Sequence, residues 1–182
     1  MLNYYEGYIF QIIINDYKIL FYQIPKNLST AILEEFIFRI LFFTSLIHYI
    51  VNRNVLIILS ALIFCLYHFP ANSILFVSYF LAGIMYGYSF VKFQSILIPI
   101  GLHFSWNFVQ GAMFGYPVSG DYSVGFLNIN LVPSDVYNGG IHGPEGSILG
   151  LGVRLAIIFF IYVFPPSLEN HEFLRLTNPL KL

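Results

Sequence analysis

Five stretches of this sequence are apolar over most or all of the length that a helix needs to cross a lipid bilayer. A transmembrane helix takes about 20 consecutive apolar residues. The stretches here are residues 28–51, 55–69, 74–91, 95–116 and 147–164. The chain is 58% hydrophobic and only 9% charged, with a mean hydropathy of +0.75. This composition is typical of a polytopic membrane protein and not of a soluble globule. We therefore expect an all-α transmembrane bundle of about five or six helices.

The segments divide the chain into three predicted parts. Residues 1–27 form an N-terminal lead, in which the apolar stretch 8–24 is broken by polar residues and is expected to lie at the membrane interface if it does not span. Residues 28–166 form the membrane core, with Pro25 before its first helix and Ser29 or Thr30 as the predicted cap. Inside it, residues 117–146 are rich in Gly, Ser, Asp, Asn and Pro and predict a loop before the last helix. Residues 167–182 form a polar C-terminal tail.

Charge and cysteine content exclude several functional classes. The net charge of −1 indicates neither nucleic-acid binding nor electrostatic attraction to anionic lipid. The apolar segments make the lipid bilayer the expected partner. The single cysteine, Cys65, excludes an internal disulfide and a CxxC metal or redox motif.

Three short polar clusters interrupt successive apolar segments. An ionisable side chain near the centre of a bilayer costs roughly 3 kcal/mol, so each such residue calls for a partner or a function. Together the clusters predict a polar site shared by packed membrane helices. Their polar members are Glu34, Glu35, Arg39, His68, His103 and Asn107.

The first cluster divides into an ion pair and a free acid. Glu35 and Arg39 are spaced i, i+4 with the acid first, the favourable order for an ion pair within a helix. Glu34 points about 100° away around the helix. It is left free to act as a general base.

The other two clusters predict donors and a second imidazole. His103 and Asn107 are also spaced i, i+4, so an imidazole N–H and a carboxamide project from one helix face and suit a developing oxyanion. His68 lies on a third helix just before Pro70, where it can hold a water against Glu34 or ligate a metal. The alternative is purely structural: buried histidines often serve only as hydrogen-bonding residues, and an interhelical asparagine bond contributes about 0.6 kcal/mol.

Other reactive residues are weaker candidates. Cys65 lies three residues from His68 and is a conceivable nucleophile, but a buried thiol on an apolar helix is usually inert. His48 has no partner in the sequence pattern. His142 and Glu145 are spaced i, i+3 in the Gly-rich segment, which we interpret as a lid or a structural turn.

The three clusters resemble the signature of the CAAX prenyl endopeptidase and bacteriocin-processing membrane proteins, also called the Abi family. That signature is EExxxR, FxxxH and HxxxN on successive membrane helices, and all three motifs occur here in that order. The resemblance covers residues 28–116, and the Gly-Pro-Glu-Gly stretch at 143–146 is also similar to bacterial members. Members usually have about eight helices, more than the five or six predicted here.

The resemblance implies an intramembrane endopeptidase. Matched by motif position, Glu34 and His68 would activate a water, while His103 and Asn107 would form the oxyanion hole. No cofactor is implied, and zinc is the alternative.

Within the first motif, the resemblance gives Arg39 a supporting role, beside its ion-pair partner Glu35. The separate histidines lack the HxxxH-type spacing of zinc sites on one helix.

Substrate and setting follow less directly. The expected partner is a membrane-associated peptide or protein, and the expected location is the bacterial cytoplasmic membrane. The context that the family implies there is processing of peptide pheromones or bacteriocins, or self-immunity. Two competing hypotheses use the same residues. One is a non-catalytic bacteriocin immunity or membrane assembly factor, and the other, ranked lowest because the sequence shows no repeat, is a proton-coupled transporter.

Overall fold

A helical bundle makes up most of the structure, a computed structural model that describes residues 11–50, 52–122, 124–130 and 136–165. Its α-helices are α1 (Lys18–Glu35), α2 (Phe42–Leu46), α3 (Arg53–Tyr67), α4 (Ser73–Phe93), α5 (Leu97–Asn107) and α6 (Ile148–Val163). α4 lies at the centre and packs against α3, α5 and α6, while α1 packs against α5. The predicted all-α membrane bundle is confirmed.

The distribution of side chains is that of a protein in lipid. Large apolar side chains of α6 face outward, with Phe160 64% exposed, while Arg154 on the same helix is buried. Among the described residues, two helical stretches, Ser73–Phe93 and Gly140–Val163, have the length and hydropathy of a membrane span, and Arg53–Tyr67 is apolar but shorter. Such an arrangement places ionisable groups in the bundle interior, where they find partners.

The first helix begins earlier than the sequence suggested. α1 starts at Lys18, ten residues before the predicted start at residue 28, and contains Pro25. The Asp16 carboxylate, one residue before the N-cap Tyr17, accepts a hydrogen bond from the Lys18 backbone N–H at 2.9 Å. Ser29 is no cap, because its hydroxyl donates to the Lys26 carbonyl inside the helix. The polar residues that seemed to interrupt an apolar stretch are therefore a helix start.

Two π-helical turns lie at the first and the third of the polar clusters. One, Phe36–Leu41, begins directly after Glu35 and joins α1 to α2. The other, Phe108–Met113, begins directly after Asn107 and extends α5. A π-turn inserts an extra residue per turn and often accompanies a functional site.

A small sheet lies outside the bundle and was not predicted. Strand β1 (Gln11–Ile14) pairs antiparallel with β2 (Leu127–Asn130), so the described residues 11–24 of the predicted interfacial stretch are a strand followed by the start of α1. The Gly-rich segment is partly ordered. A 3-10 helix, Gly140–Gly146, leads into α6. The first ten residues of the predicted lead and the predicted tail, 167–182, lie outside the described residues.

The tightest helix contact lies between α3 and α4. A Cβ atom added to Gly83 would lie 2.6 Å from the Ala61 Cα atom, so only glycine allows this approach. The carbonyl of Gly83 also faces the Arg39 guanidinium, at 3.5 Å from Nη2. Close packing here thus brings α3 and α4 against the end of α1.

Candidate active site

The buried ion pair at the end of α1 forms as predicted. The Glu35 Oε2 and Arg39 Nε atoms are 3.0 Å apart, and both side chains are fully buried. Arg39 also donates to the Ser60 hydroxyl on α3 at 3.1 Å. Because each charge has a partner of opposite sign, the pair can exist inside the bundle and holds α1 against α3.

Glu35 has a second partner that the sequence did not reveal. Its Oε1 atom lies 2.9 Å from Nδ1 of His103 on α5. A carboxylate paired with Arg39 is an acceptor, so His103 donates from Nδ1 and turns Nε2 toward the cleft. The Tyr86 ring stacks on the imidazole with 4.8 Å between centroids. Glu35 therefore orients His103.

His68 is oriented by its own helix. Its Nδ1 atom lies 2.8 Å from the Phe64 carbonyl oxygen, which can only accept, so Nδ1 is the donor. Phe64, which we interpreted as packing, is buried in the core and also supplies this carbonyl. The Nε2 atom of His68 is thereby left to face Glu34.

Glu34 lies between the two histidines. Its Oε2 atom is 3.5 Å from Nε2 of His68 and 3.9 Å from Nε2 of His103. Both distances exceed those of a hydrogen bond, and this buried oxygen has no hydrogen-bond partner. The three atoms face one small polar space.

A cleft of about 360 Å³ opens onto this space. It brings together four of the residues singled out in the sequence, namely Glu34, His68, His103 and Asn107. Glu35 and Arg39 lie behind it and support its wall. On the opposite side the cleft is bounded by the Gly-rich segment, through Val118, Ser119 and Asp121.

Sequence reasoning missed a polar stripe along α1. Gln23, Asn27 and Thr30 recur at helical spacing before Glu34, and all line the cleft together with Lys26. The signal was available in the polar residues at i, i+4, i+7 and i+11 of one helix. We overlooked it because the helix was expected to begin only at residue 28.

The remaining candidates do not join the site. Cys65 is buried, its thiol donates to the Phe76 carbonyl at 3.3 Å, and it does not line the cleft. His48 is exposed in the turn after α2. Glu145 faces Arg154 at 3.8 Å. Within the described ranges, no group of three or more His, Cys, Asp or Glu side chains is arranged to hold a metal ion.

Comparison with protein families gives one match and places the motifs within it. The family model described as Type II CAAX prenyl endopeptidase Rce1-like matches residues 17–109, which include every motif residue from Glu34 to Asn107. The comparisons with curated proteins and with solved structures give no match. Since the matched region spans half of the sequence and carries the motif residues of the cleft, the chain belongs to the Type II CAAX prenyl endopeptidase Rce1-like family, a family of proteases.

Proposed function

We propose that the protein is an intramembrane endopeptidase that hydrolyses a peptide bond in the cleft between α1, α3 and α5. The observation that carries this proposal is the unpartnered, buried Oε2 atom of Glu34 facing Nε2 of both histidines. A carboxylate oxygen in a mostly desolvated site needs a hydrogen-bond donor, and a water molecule there would be the nucleophile.

In the first step, Glu34 acts as the general base. It takes a proton from the water, whose oxygen then attacks the carbonyl carbon of the substrate. His68 presents Nε2 to the same water because its Nδ1 proton is donated to the Phe64 carbonyl. Holding the water between two fixed acceptors orients its lone pair toward the substrate.

In the second step, side chains of α5 stabilise the oxyanion that forms on the substrate carbonyl. The Asn107 carboxamide supplies one donor, and His103 supplies a second from Nε2 when it carries both protons. The Glu35 carboxylate accepts from Nδ1 of His103 and fixes the orientation of the imidazole, while Arg39 holds Glu35 in place. The oxyanion then collapses, the C–N bond breaks, and Glu34 returns its proton to the leaving amine.

The substrate we propose is a membrane-associated peptide or protein. The polar stripe of α1 supports this, because its side chains can bond the backbone of an extended segment lying along the helix toward Glu34. We place the protein in the bacterial cytoplasmic membrane, processing peptides there.

Substitution of Glu34 by Gln tests the proposal. The purified protein in detergent would be assayed on a panel of membrane peptides by mass spectrometry. Glu34→Gln should lower the cleavage rate by roughly 10²- to 10⁴-fold, the usual contribution of a general base. Asp16→Asn is the matched control, because it removes one negative charge just before α1 and outside the cleft. Cleavage by Glu34→Gln at the wild-type rate would refute the assignment, and protection of cells that survives this variant would favour a binding immunity factor.

Metal dependence needs a separate experiment, because imidazole Nε2 and carboxylate oxygens are also zinc ligands. We propose a mechanism without metal, in which Glu34 and His68 position the water. Cleavage should then persist after exhaustive chelation. Stoichiometric zinc in the purified protein, with activity lost on chelation and restored by zinc, would overturn this part of the proposal.

A further inference from the structure

A second buried charge cluster lies behind the cleft, and neither the three motifs nor the proposed mechanism uses it. Arg154 of α6 is buried, with Nη2 3.8 Å from Oε1 of Glu145 and Nη1 donating to the Ser78 hydroxyl. Its guanidinium also lies 3.9 Å from the centroid of the Trp106 ring. Two opposite charges in the interior of a membrane bundle are costly to place there, so their retention calls for an explanation.

The carboxylate of Glu145 has two further partners, Ser119 in the wall of the cleft and Tyr79 behind His68. Its Oε2 atom accepts from the Ser119 backbone N–H at 2.9 Å and from the Tyr79 hydroxyl at 3.3 Å. Ser119 lines the cleft and has a positive φ of 51°, a conformation that a residue with a side chain rarely adopts. The bond from Glu145 helps to hold that conformation.

Tyr79, the other partner of Glu145, contacts His68, a proposed catalytic residue. The Tyr79 ring packs against the His68 imidazole, with 5.0 Å between centroids. The hydrogen bond from the Tyr79 hydroxyl to Glu145 restrains the tyrosine ring and, through it, the orientation of the His68 imidazole. On the other side, Arg154 packs on Trp106, the residue before Asn107.

We propose that Glu145 and Arg154 are positioning residues that tie the Gly-rich segment over the cleft and restrain His68 through Tyr79. This inference rests on the proposed function of the cleft. Glu145 and Arg154 themselves touch no substrate; Glu145 acts through Ser119 and Tyr79, and Arg154 holds Glu145 in place.

Two variants test the inference. Tyr79→Phe removes only the hydroxyl that bonds Glu145, and Glu145→Gln removes the charge while keeping the size of the side chain. Each should lower kcat about tenfold or more, because water activation is impaired. Tyr79→Phe should change KM less than twofold, since the bond between Ser119 and Glu145 that holds the cleft wall remains. Tyr88→Phe on the same helix is the matched control, because it removes a hydroxyl outside the cleft.

Hydrogen exchange supplies a readout that does not depend on catalysis. Amides of residues 118–122 should exchange at least tenfold faster in Glu145→Gln than in the wild type, while those of α3 remain unchanged. A role in overall stability alone predicts a lower unfolding temperature with unchanged kcat per folded molecule and unchanged loop exchange, which would overturn the inference.

The outcomes separate the two proposals. If Glu34→Gln is inactive but Tyr79→Phe and Glu145→Gln cleave within twofold of the wild type, the positioning role is wrong and the proposed function stands. If Glu34→Gln cleaves normally, the proposed function is wrong, and the loop exchange of Glu145→Gln still decides whether Glu145 holds the segment.

Discussion

Substitution of Gly83 by Ala should destabilise the bundle by a measurable amount. The new Cβ atom would lie 2.6 Å from Ala61 Cα and 2.9 Å from Ala61 Cβ, so α3 and α4 must separate by about 0.8 Å to reach ordinary contact at 3.4 Å. The obstacle is backbone and cannot rotate away. Overpacking of this kind costs about 1–3 kcal/mol.

Gly101→Ala in α5 is the matched control, because nothing lies within 4 Å of its added Cβ atom. Alanine favours a helix over glycine by about 1 kcal/mol at both positions. The difference in unfolding free energy between the two variants therefore isolates the steric cost, which should be about 1–3 kcal/mol.

Unfolding by SDS, followed through the fluorescence of Trp106, the one tryptophan in the sequence, provides the measurement. Gly83→Ala should also lose activity, because separation of α3 moves His68 relative to Glu34. Equal stability of the Gly83 and Gly101 variants would refute the close packing of α3 against α4.

Three further predictions concern individual side chains. Arg39→Met should lower the unfolding free energy by about 3–5 kcal/mol, since it leaves Glu35 buried without its cation; in the same SDS assay, a loss below about 1 kcal/mol would contradict the ion pair. Asn107→Ala should lower kcat by about 10²- to 10³-fold with little change in KM, the usual effect of losing an oxyanion donor, and steady-state kinetics would expose a wrong assignment as an unchanged kcat. Cys65→Ala should cleave within twofold of the wild type, because the thiol lies outside the cleft; abolished activity would instead favour a cysteine nucleophile.

Local sequence patterns predicted much of the fold. The apolar segments at 55–69, 74–91 and 147–164 correspond to α3, α4 and α6 within two residues at each end. Such segments can be recognised because a bilayer demands a continuous apolar stretch of fixed length. The start of α1 was missed, since Asp16 and Lys18 were read as interruptions of a span and not as the polar residues that open a helix.

Local spacing also predicted the Glu35–Arg39 pair, because residues four apart on a helix are neighbours wherever the helix packs. It could not predict that Glu35 would also bond His103, which lies 68 residues away. That contact engages Nδ1 of His103 and leaves Nε2 to face the cleft. The sequence pattern alone could not tell these two nitrogens apart.

By itself, the sequence determined that the chain enters a membrane, which helices carry polar residues, and the order of the three motifs. The tertiary structure alone decided which helix faces meet. It placed Glu34 between two histidines, brought the Gly-rich segment over the cleft, and buried Arg154 beside Glu145. The physical reason is that periodicity fixes the face of a helix on which a side chain lies, whereas the partner of that face depends on the close packing of all the helices together.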